Sequence, residues 1–134
     1  MSQTWARGHL LDTHTLIWAL KEPERLSATA CAAVRRGPNV LSVVSYWEIM
    51  LKSMKGALGV GDPRTWWQDA LNQLAAAALP LRPAHVNSLR DLPPIHKDPF
   101  ERMLIAQATV EGLALVSMDA NVARYASANL RVIG

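Results

Sequence analysis

The sequence contains a single cysteine, Cys31, and no long run of apolar residues. One cysteine cannot form an internal disulfide, and a small buried thiol is its simplest interpretation, so we do not expect redox chemistry. No apolar run reaches the roughly eighteen positions that a membrane span requires. The N-terminus also lacks the charged start and apolar stretch of a signal peptide. These absences predict a cytoplasmic protein that does not contact a membrane.

Features that would divide the chain into domains are also missing. The sequence shows no internal repeat, linker or low-complexity tail. Its 134 residues, half of them apolar, are enough for one complete core and too few for two. We therefore expect a single domain over residues 1–134.

Basic residues do not run together, although the formal net charge is +3 and the pI is about 9.4. The 14 lysines and arginines are scattered along the chain. This mild excess permits nucleic acid binding without establishing it. A basic exterior around several gathered carboxylates would suit an enzyme that attracts phosphates and holds a cation among its acids.

Short strand patterns alternate with helix patterns along the whole chain. Strands are expected at 8–12, 40–44, 113–117 and 130–133, with a short extended piece at 79–82. Helices are expected at 13–20, 27–36, 45–55, 63–78, 84–90, 98–112 and 119–126. This alternation predicts parallel strands buried on both faces and joined by right-handed crossovers. The expected fold class is α/β, as a three-layer α/β/α sandwich with a central, mostly parallel sheet.

Five acidic residues lie where such a fold forms its functional crevice, beyond the carboxyl ends of the strands. Asp12 ends the first strand, Glu48 is expected in the first turn after the second, and Asp119 follows the strand at 113–117. Asp98 and Glu101 begin a later helix. Taken one at a time, each acid is better explained as part of a helix cap or of a capping box, such as the one from Ser45 to Glu48.

Convergence of these acids would go beyond what capping requires. Parallel strands point their carboxyl ends the same way, so the side chains that follow them can meet on one patch. Carboxylates at close range repel one another, and a hard divalent cation such as Mg²⁺ or Mn²⁺ usually neutralises them. The corresponding reaction class is phosphodiester hydrolysis. No histidine and cysteine spacing of a zinc site is present.

Four motifs in this sequence together resemble PIN domains, and in particular VapC-type toxins of toxin–antitoxin pairs. The motifs are Leu10-Leu11-Asp12-Thr13-His14, Trp47-Glu48-Ile49 with Lys52, His96-Lys97-Asp98-Pro99-Phe100-Glu101-Arg102 with Ile105-Ala106-Gln107-Ala108, and Val116-Ser117-Met118-Asp119. They fall in the family's order and cover almost the whole chain. The resemblance implies a PIN-like fold and a Mg²⁺-dependent endoribonuclease, usually a homodimer, that is neutralised by a small cognate antitoxin.

The resemblance also assigns roles to the acids. Asp12 and Asp119 match the family's acids after the first and fourth strands, and Glu48 matches its helix glutamate. The third acid of the family is usually aspartate and aligns best with Glu101, whereas Asp98 belongs to a related variant of the motif. Both stay candidates, so the implied metal ligands are Asp12, Asp98, Glu101 and Asp119.

Several polar residues beside the acids are candidate substrate contacts. Thr13 and Ser117 could bind a phosphate, although local backbone hydrogen bonds explain them as well. His96 could contact the substrate or serve a loop or cap role. Arg102 could pair with Asp98 or meet the RNA backbone. Lys52 lies four residues after Glu48, where an ion pair or an orienting role is expected.

The tryptophans divide between core and surface. Trp67 fits the apolar stripe of its helix, which leaves the adjacent Trp66 near the surface as an interface anchor. Trp18 and Trp47 are expected in the core.

Two other functions compete with the nuclease interpretation. A phospho-acceptor receiver domain is also a small α/β sandwich with strand-end acids, but it needs an acidic pair after the first strand, and Thr13 follows Asp12 here. A PIN module with a weakened site would act by partner binding alone, and the longer Glu101 in the place of an aspartate keeps that alternative open.

Overall fold

The computed structural model describes residues 8–134, and residues 1–7, which the predicted domain includes, lie outside the described part. Within residues 8–134, the strands are β1 (His9–Leu11), β2 (Asn39–Ser42), β3 (Ala77–Leu79), β4 (Ala114–Val116) and β5 (Val132–Ile133). The helices are α1 (Thr13–Lys21), α2 (Ala28–Arg36), α3 (Val43–Met54), α4 (Pro63–Gln73), α5 (Pro83–Ser88), α6 (Pro99–Glu111) and α7 (Ala120–Ala123). Short 3₁₀ turns occupy Pro23–Arg25 and Leu89–Asp91.

The strands form one parallel sheet in the order β3-β2-β1-β4-β5. β1 is the central strand, and Leu10 pairs with Val40 on one side and Leu115 on the other. β2 and β3 follow β1 on one side of it, and β4 and β5 lie on the other side, so the strand order reverses beside β1. Ligand crevices of open α/β sheets lie beyond the carboxyl ends of the strands at such a switch point.

Alternate residues of the central strands enter two different cores. Leu10, Val40 and Leu115 belong to one cluster, which packs against α6 and the segment around α7. Leu11, Leu41 and Val116 belong to the other, which packs against α1, α2 and α4. Because side chains alternate between the faces of a strand, a sheet with apolar residues on both faces needs helices on both sides. The predicted three-layer α/β/α sandwich is confirmed.

Helix α3 begins earlier than the sequence pattern indicated. Ser42 is its N-cap, and the Ser42 hydroxyl accepts a hydrogen bond from the Val44 N–H at 3.0 Å. The first turn therefore starts at Val43, and the expected capping box from Ser45 to Glu48 does not form. Glu48 consequently lies in the second helical turn rather than the first.

Helix α4 ends earlier than the apolar stripe suggested, at Gln73 rather than residue 78. Ala75 has a φ of 47°, in the left-handed region, and this ends the helical path. The following segment, Ala77–Leu79, pairs with β2 as an edge strand. Tertiary pairing thus overrides the helical preference of the alanine-rich run. None of the helices found between residues 8 and 134 combines the length and apolar character needed to cross a bilayer.

Candidate active site

Asp12 lies directly after the central strand, where the chain turns into α1. Its backbone N–H donates to the Val116 carbonyl at 3.0 Å, which extends the β1–β4 pairing by one step. Its Oδ1 accepts from the Thr15 N–H at 2.8 Å and caps α1. The residue is 2% exposed. The cap and the strand thus hold this carboxylate at the switch point of the sheet.

Glu48 extends from α3 into the same region and is also buried. Lys52, one helical turn further, places its Nζ 2.8 Å from Glu48 Oε2. This pair confirms the expected i, i+4 contact. Lys52 is the cation that balances a carboxylate which would otherwise be costly to bury.

Glu101, in the first turn of α6, is the acid that the structure buries against Asp12 and Glu48. Burial raises the pKa of Glu101 to about 9, and the negative charges of Asp12, Glu48 and Asp98 add to the effect. A hydrogen bond to Asp12 acts in the same direction, because it favours the protonated form of Glu101. Its Oε1 atom is buried and has no hydrogen-bond partner.

Asp98 has a different position, at the N-cap of α6. Its Oδ1 accepts from the Phe100 N–H at 2.9 Å and, more weakly, from the Glu101 N–H at 3.5 Å. The side chain is only partly buried, whereas Glu101 is 4% exposed. The structure therefore brings Glu101 close to Asp12 and Glu48, and it places Asp98 beside Glu101 as the helix cap.

Asp119 follows β4 by three residues and caps the short helix α7. Burial on its own would raise the pKa of Asp119, but hydrogen bonds from the Asn121 N–H, His96 and the Val122 N–H lower it. His96 Nε2 lies 3.2 Å from Asp119 Oδ2. His96 Nδ1 accepts from the Asp98 N–H at 3.2 Å, so the ring proton lies on Nε2. His96 thus connects two of the predicted acids.

Two of the predicted substrate contacts form bonds within the site. The Thr13 hydroxyl donates to Ser45 Oγ at 3.0 Å, and this bond links α1 to α3. The Ser117 hydroxyl accepts from the Asp119 N–H at 3.2 Å. Both residues are 1% exposed, and these bonds are of the local kind that the sequence offered as the alternative to phosphate binding, so a substrate contact by either residue stays a prediction.

Arg102 does not pair with Asp98, contrary to the expectation. Its Nη1 donates to the Pro93 carbonyl at 2.9 Å and to the Tyr125 hydroxyl at 3.0 Å. Its Nη2 is 3.5 Å from the carbonyls of Leu89 and Leu92. The guanidinium thus holds the loop before α6, and its contact with RNA stays a prediction.

The acid cluster offers oxygen donors of the kind that a divalent cation binds. Within residues 8–134, no three Asp, Glu, His or Cys side chains already converge as a ready metal-binding group. Burial and the neighbouring carboxylates raise the pKa of Glu101 to about 9, so this acid keeps its proton at neutral pH. A cation in the cluster would supply the positive charge that is missing there. The unpartnered Oε1 of Glu101 is a hard oxygen donor with no other bond to make. The chemistry of the donor set, hard carboxyl oxygens with one of them unpartnered, is therefore that which a cation such as Mg²⁺ prefers.

Sequence reasoning missed a buried polar network beside the site. Gln107 of α6 is fully buried; the Ser42 hydroxyl donates to its Oε1, and its Nε2 lies 3.3 Å from His85 Nδ1. His85 Nε2 in turn lies 2.8 Å from Glu111 Oε2. The available signal was Gln107 itself, a polar residue in the otherwise apolar run from Leu104 to Ala108.

Trp47 was expected in the core but is 56% exposed. Its ring contacts Phe100 edge-to-face, with centroids 4.9 Å apart. Glu48 and Ile49 occupy the buried face of α3, which leaves Trp47 toward solvent. Trp66 is partly buried against the core around Trp67, near the surface as expected, and its role as an interface anchor stays a prediction.

Solved structures with the same architecture were found by comparison of coordinates. They include VapBC2 from Rickettsia felis bound to a promoter DNA fragment, at 12% identity and a TM-score of 0.65, covering 94% of this chain and 98% of that one. FitAcB from Neisseria gonorrhoeae is 18% identical with a TM-score of 0.62, covering 93% and 96%. VapBC-5 from Mycobacterium tuberculosis, a member of the VapBC family of toxin–antitoxin systems, is 18% identical with a TM-score of 0.61, covering 96% and 98%.

Sequence comparison gives the family directly. A search of curated proteins found no match to this chain. The sequence profile of the PIN domain, however, matches residues 9–128, which is most of the chain and includes all five acids. Fold, acid placement and sequence profile agree, and the chain therefore belongs to the PIN domain family.

Proposed function

We propose that this chain is a metal-dependent endoribonuclease, with Mg²⁺ or Mn²⁺ as its cofactor, and that it is the toxin of a toxin–antitoxin pair. The observation that carries the proposal is the buried Oε1 of Glu101, a carboxyl oxygen without a partner among three other acids. A purely structural acid at this depth would have an ion pair or a full set of hydrogen bonds. An oxygen left unsatisfied in a carboxylate cluster is expected of a site that holds a cation.

The ligands we propose are Asp12, Glu101 and Asp119, with Asp98 at the edge of the set. A bound divalent cation supplies Lewis-acid polarisation of a phosphoryl oxygen and lowers the pKa of a water molecule. Glu101 would lose its proton on loading, since the cation offsets the surrounding negative charge that now holds the proton in place.

Other residues of the chain prepare the acids for this task. Lys52 Nζ lies 2.8 Å from Glu48 Oε2 and holds that carboxylate toward the cluster. His96 fixes Asp119 through Oδ2. Asp12 and Asp98 cap α1 and α6, so the positive ends of two helix dipoles point into the cleft. These ends favour both the carboxylates and the phosphate of a substrate.

The net charge of the chain supports RNA as the substrate, and its structural neighbours support a protein partner. The chain has a net charge of +3 despite its acidic cluster, so the charge elsewhere on the chain suits a polyanion. Its structural neighbours include toxin–antitoxin complexes. We propose that this chain likewise binds a small cognate antitoxin and forms a homodimer.

The test is cleavage of a mixed pool of single-stranded and structured RNA by the purified chain in Mg²⁺, Mn²⁺ or EDTA. We expect cleavage with either metal, none in EDTA, and a loss of more than about 100-fold in Asp12→Asn and Asp119→Asn. Asp69→Asn is the matched control, because Asp69 is exposed on α4 and lies outside the acid cluster. If both site variants cleave RNA and arrest cells as the wild type does, the catalytic proposal is wrong and a binding module remains.

A further inference from the structure

A small cavity opens beside the acid cluster, on the side of α1. It has a volume of about 190 Å³ and is lined by Asp12, His14, Thr15, Trp18, Met118 and Asp119. Two of these residues are acids of the proposed metal site, and most of the remaining wall is apolar. A catalytic cleft for a phosphodiester backbone does not itself need an aromatic and thioether wall. The cavity therefore suits a ligand group that is flat, largely apolar and attached near a phosphate.

Trp18 is the largest surface in this cavity, and its neighbours leave it partly exposed. His14, one helical turn earlier on α1, places its ring centroid 5.7 Å from that of Trp18 at an angle of 37°. The guanidinium of Arg25 lies over the indole, 4.4 Å from its centroid. A cation held over the ring fixes the indole in place, and because Arg25 does not line the cavity, the part of the indole that does line it is left for a ligand.

The cavity continues into a larger cleft of about 590 Å³ that shares Met118 and Asp119 with it. Arg25, whose guanidinium contacts Trp18, also lines this cleft, together with Ser27, Ser117 and Gly134. A strand of nucleic acid lying over the acids thus has a path past Met118, with Arg25 available to its backbone. Trp18 lies at the junction of this path and the acid cluster.

We propose that the cavity at Trp18 is a nucleobase subsite, which receives the base of a nucleotide adjacent to the cleaved phosphodiester by stacking on the indole. The inference rests on the proposed ribonuclease function and names a substrate class for it, an unpaired nucleotide of single-stranded or looped RNA. Only an unstacked base can leave its strand and enter such a pocket.

A base fits the cavity better than an apolar side chain of a protein partner does. Asp12 and Asp119 line the side of the cavity that adjoins the proposed cation, so the cavity is within reach of a base whose own strand carries the phosphate bound there. Stacking on an aromatic ring accepts every base, because each has a π face.

The experiment measures binding of a fluorescently labelled, mixed-sequence single-stranded RNA, with Ca²⁺ replacing Mg²⁺ so that binding is separated from cleavage. Copies of the RNA carry one abasic nucleotide at each position in turn. We expect wild type to lose about tenfold in affinity when one particular base is missing. Trp18→Ala should lose about the same factor with the intact RNA and show no further loss at that position. Trp18→Phe should restore the position-dependent profile.

Trp66→Ala is the control, since Trp66 is a partly buried tryptophan on α4, away from the cavity, and the variant should keep the wild-type abasic profile. If Trp18→Ala and Trp18→Phe, both folded, show the same abasic profile as wild type, the base subsite is wrong even though RNA is cleaved. If wild type binds no RNA, both the subsite and the proposed function fail. A Trp18-dependent profile without Mg²⁺-dependent cleavage would support the subsite and overturn only the nuclease proposal.

Discussion

Lys52 Nζ lies 2.8 Å from Glu48 Oε2, and the two side chains differ sharply in exposure, at 41% for the lysine and 4% for the glutamate. The pair therefore joins the surface of α3 to the interior of the acid cluster. A lysine in this position neutralises one carboxylate of the cluster without occupying the space where the other acids meet. Glu48 is thus set apart from Glu101, which has acids around it and a buried oxygen without a partner.

Lys52→Met tests this pairing, because methionine keeps much of the side-chain length and removes the charge. We expect the free energy of unfolding to fall by about 1–2 kcal/mol, between the values for exposed and buried pairs, since Lys52 is partly solvated. RNA cleavage should fall about tenfold as Glu48 loses its orientation. Urea denaturation and initial cleavage rates measure the two effects.

Lys55→Met serves as the control, because Lys55 is exposed at the end of the same helix. It should change stability by less than about 0.5 kcal/mol. The double variant Glu48→Gln/Lys52→Met should recover most of the lost stability, since it leaves no unpaired buried charge. A double variant as unstable as Lys52→Met would show that the lysine acts through packing instead.

Glu101→Gln should affect the protein in opposite directions with and without metal. In metal-free buffer we expect the variant to be at least as stable as wild type. The pKa of Glu101 is raised from an ordinary 4.5 to about 9, so its contribution to wild-type stability is complete below the lower value and is lost as pH rises toward the higher one. The advantage of the glutamine should therefore grow across that range.

Saturating Mg²⁺ should stabilise wild type by about 2 kcal/mol and the glutamine variant by much less. Thermal unfolding with and without Mg²⁺ measures both. Glu24→Gln, which changes an exposed acid in the Pro23–Arg25 turn, should respond to Mg²⁺ as wild type does. Equal stabilisation of Glu101→Gln and wild type would remove Glu101 from the ligand set.

The sequence was sufficient to place Asp12 and Asp119, because both follow strands whose apolar pattern is unmistakable and parallel strands share one functional edge. It could not choose between Asp98 and Glu101. The two residues are three apart at one helix start, and each satisfies a capping rule there. The difference between them, burial of Glu101 against Asp12 and Glu48, depends on how α6 packs against the sheet. That packing is a tertiary property.

The errors of interpretation have a similar cause. The start of α3 was placed at Ser45 because Val43 and Val44 are β-branched, and the hydroxyl of Ser42 overrode that preference by capping the helix. Trp47 lies outside because Glu48 and Ile49 occupy the buried face of this helix. Arg102 was given Asp98, one helical turn away, as a possible partner, whereas the carbonyls of a loop nine or more residues earlier hold it.

His96 is expected to act as a positioning residue for Asp119. His96→Ala removes the bond to Asp119 Oδ2 and the acceptor for the Asp98 N–H. We expect cleavage to fall about 10- to 100-fold, with a loss of about 1 kcal/mol in stability. His96→Gln, which keeps a side-chain donor, should recover part of the activity. Lys97→Ala, at the exposed neighbouring position, should leave both quantities unchanged. A fully active His96→Ala would show that Asp119 needs no such support.

His9 provides a prediction for the pH dependence of stability. The residue begins the central strand, is 2% exposed, and places its Nε2 2.9 Å from Asn39 Oδ1. Burial lowers the pKa of His9 from its ordinary 6.5; the hydrogen bond to Asn39 opposes this shift, and the positive charge of Arg36 adds to it. The unfolded chain therefore takes up a proton near pH 6.5, whereas the folded chain still excludes it.

The sign follows from this difference in proton uptake. The contribution of neutral His9 to stability is complete well above pH 6.5 and is lost as the pH falls below 6.5 toward the lower pKa of the folded state. His9→Gln keeps an amide donor for Asn39 and cannot be protonated, so this part of the pH dependence should disappear in the variant. Subtracting the two urea-unfolding profiles cancels the other titrating groups. A wild-type advantage that stays constant on acidification would mean that His9 takes up a proton in the fold as readily as it does in the unfolded chain.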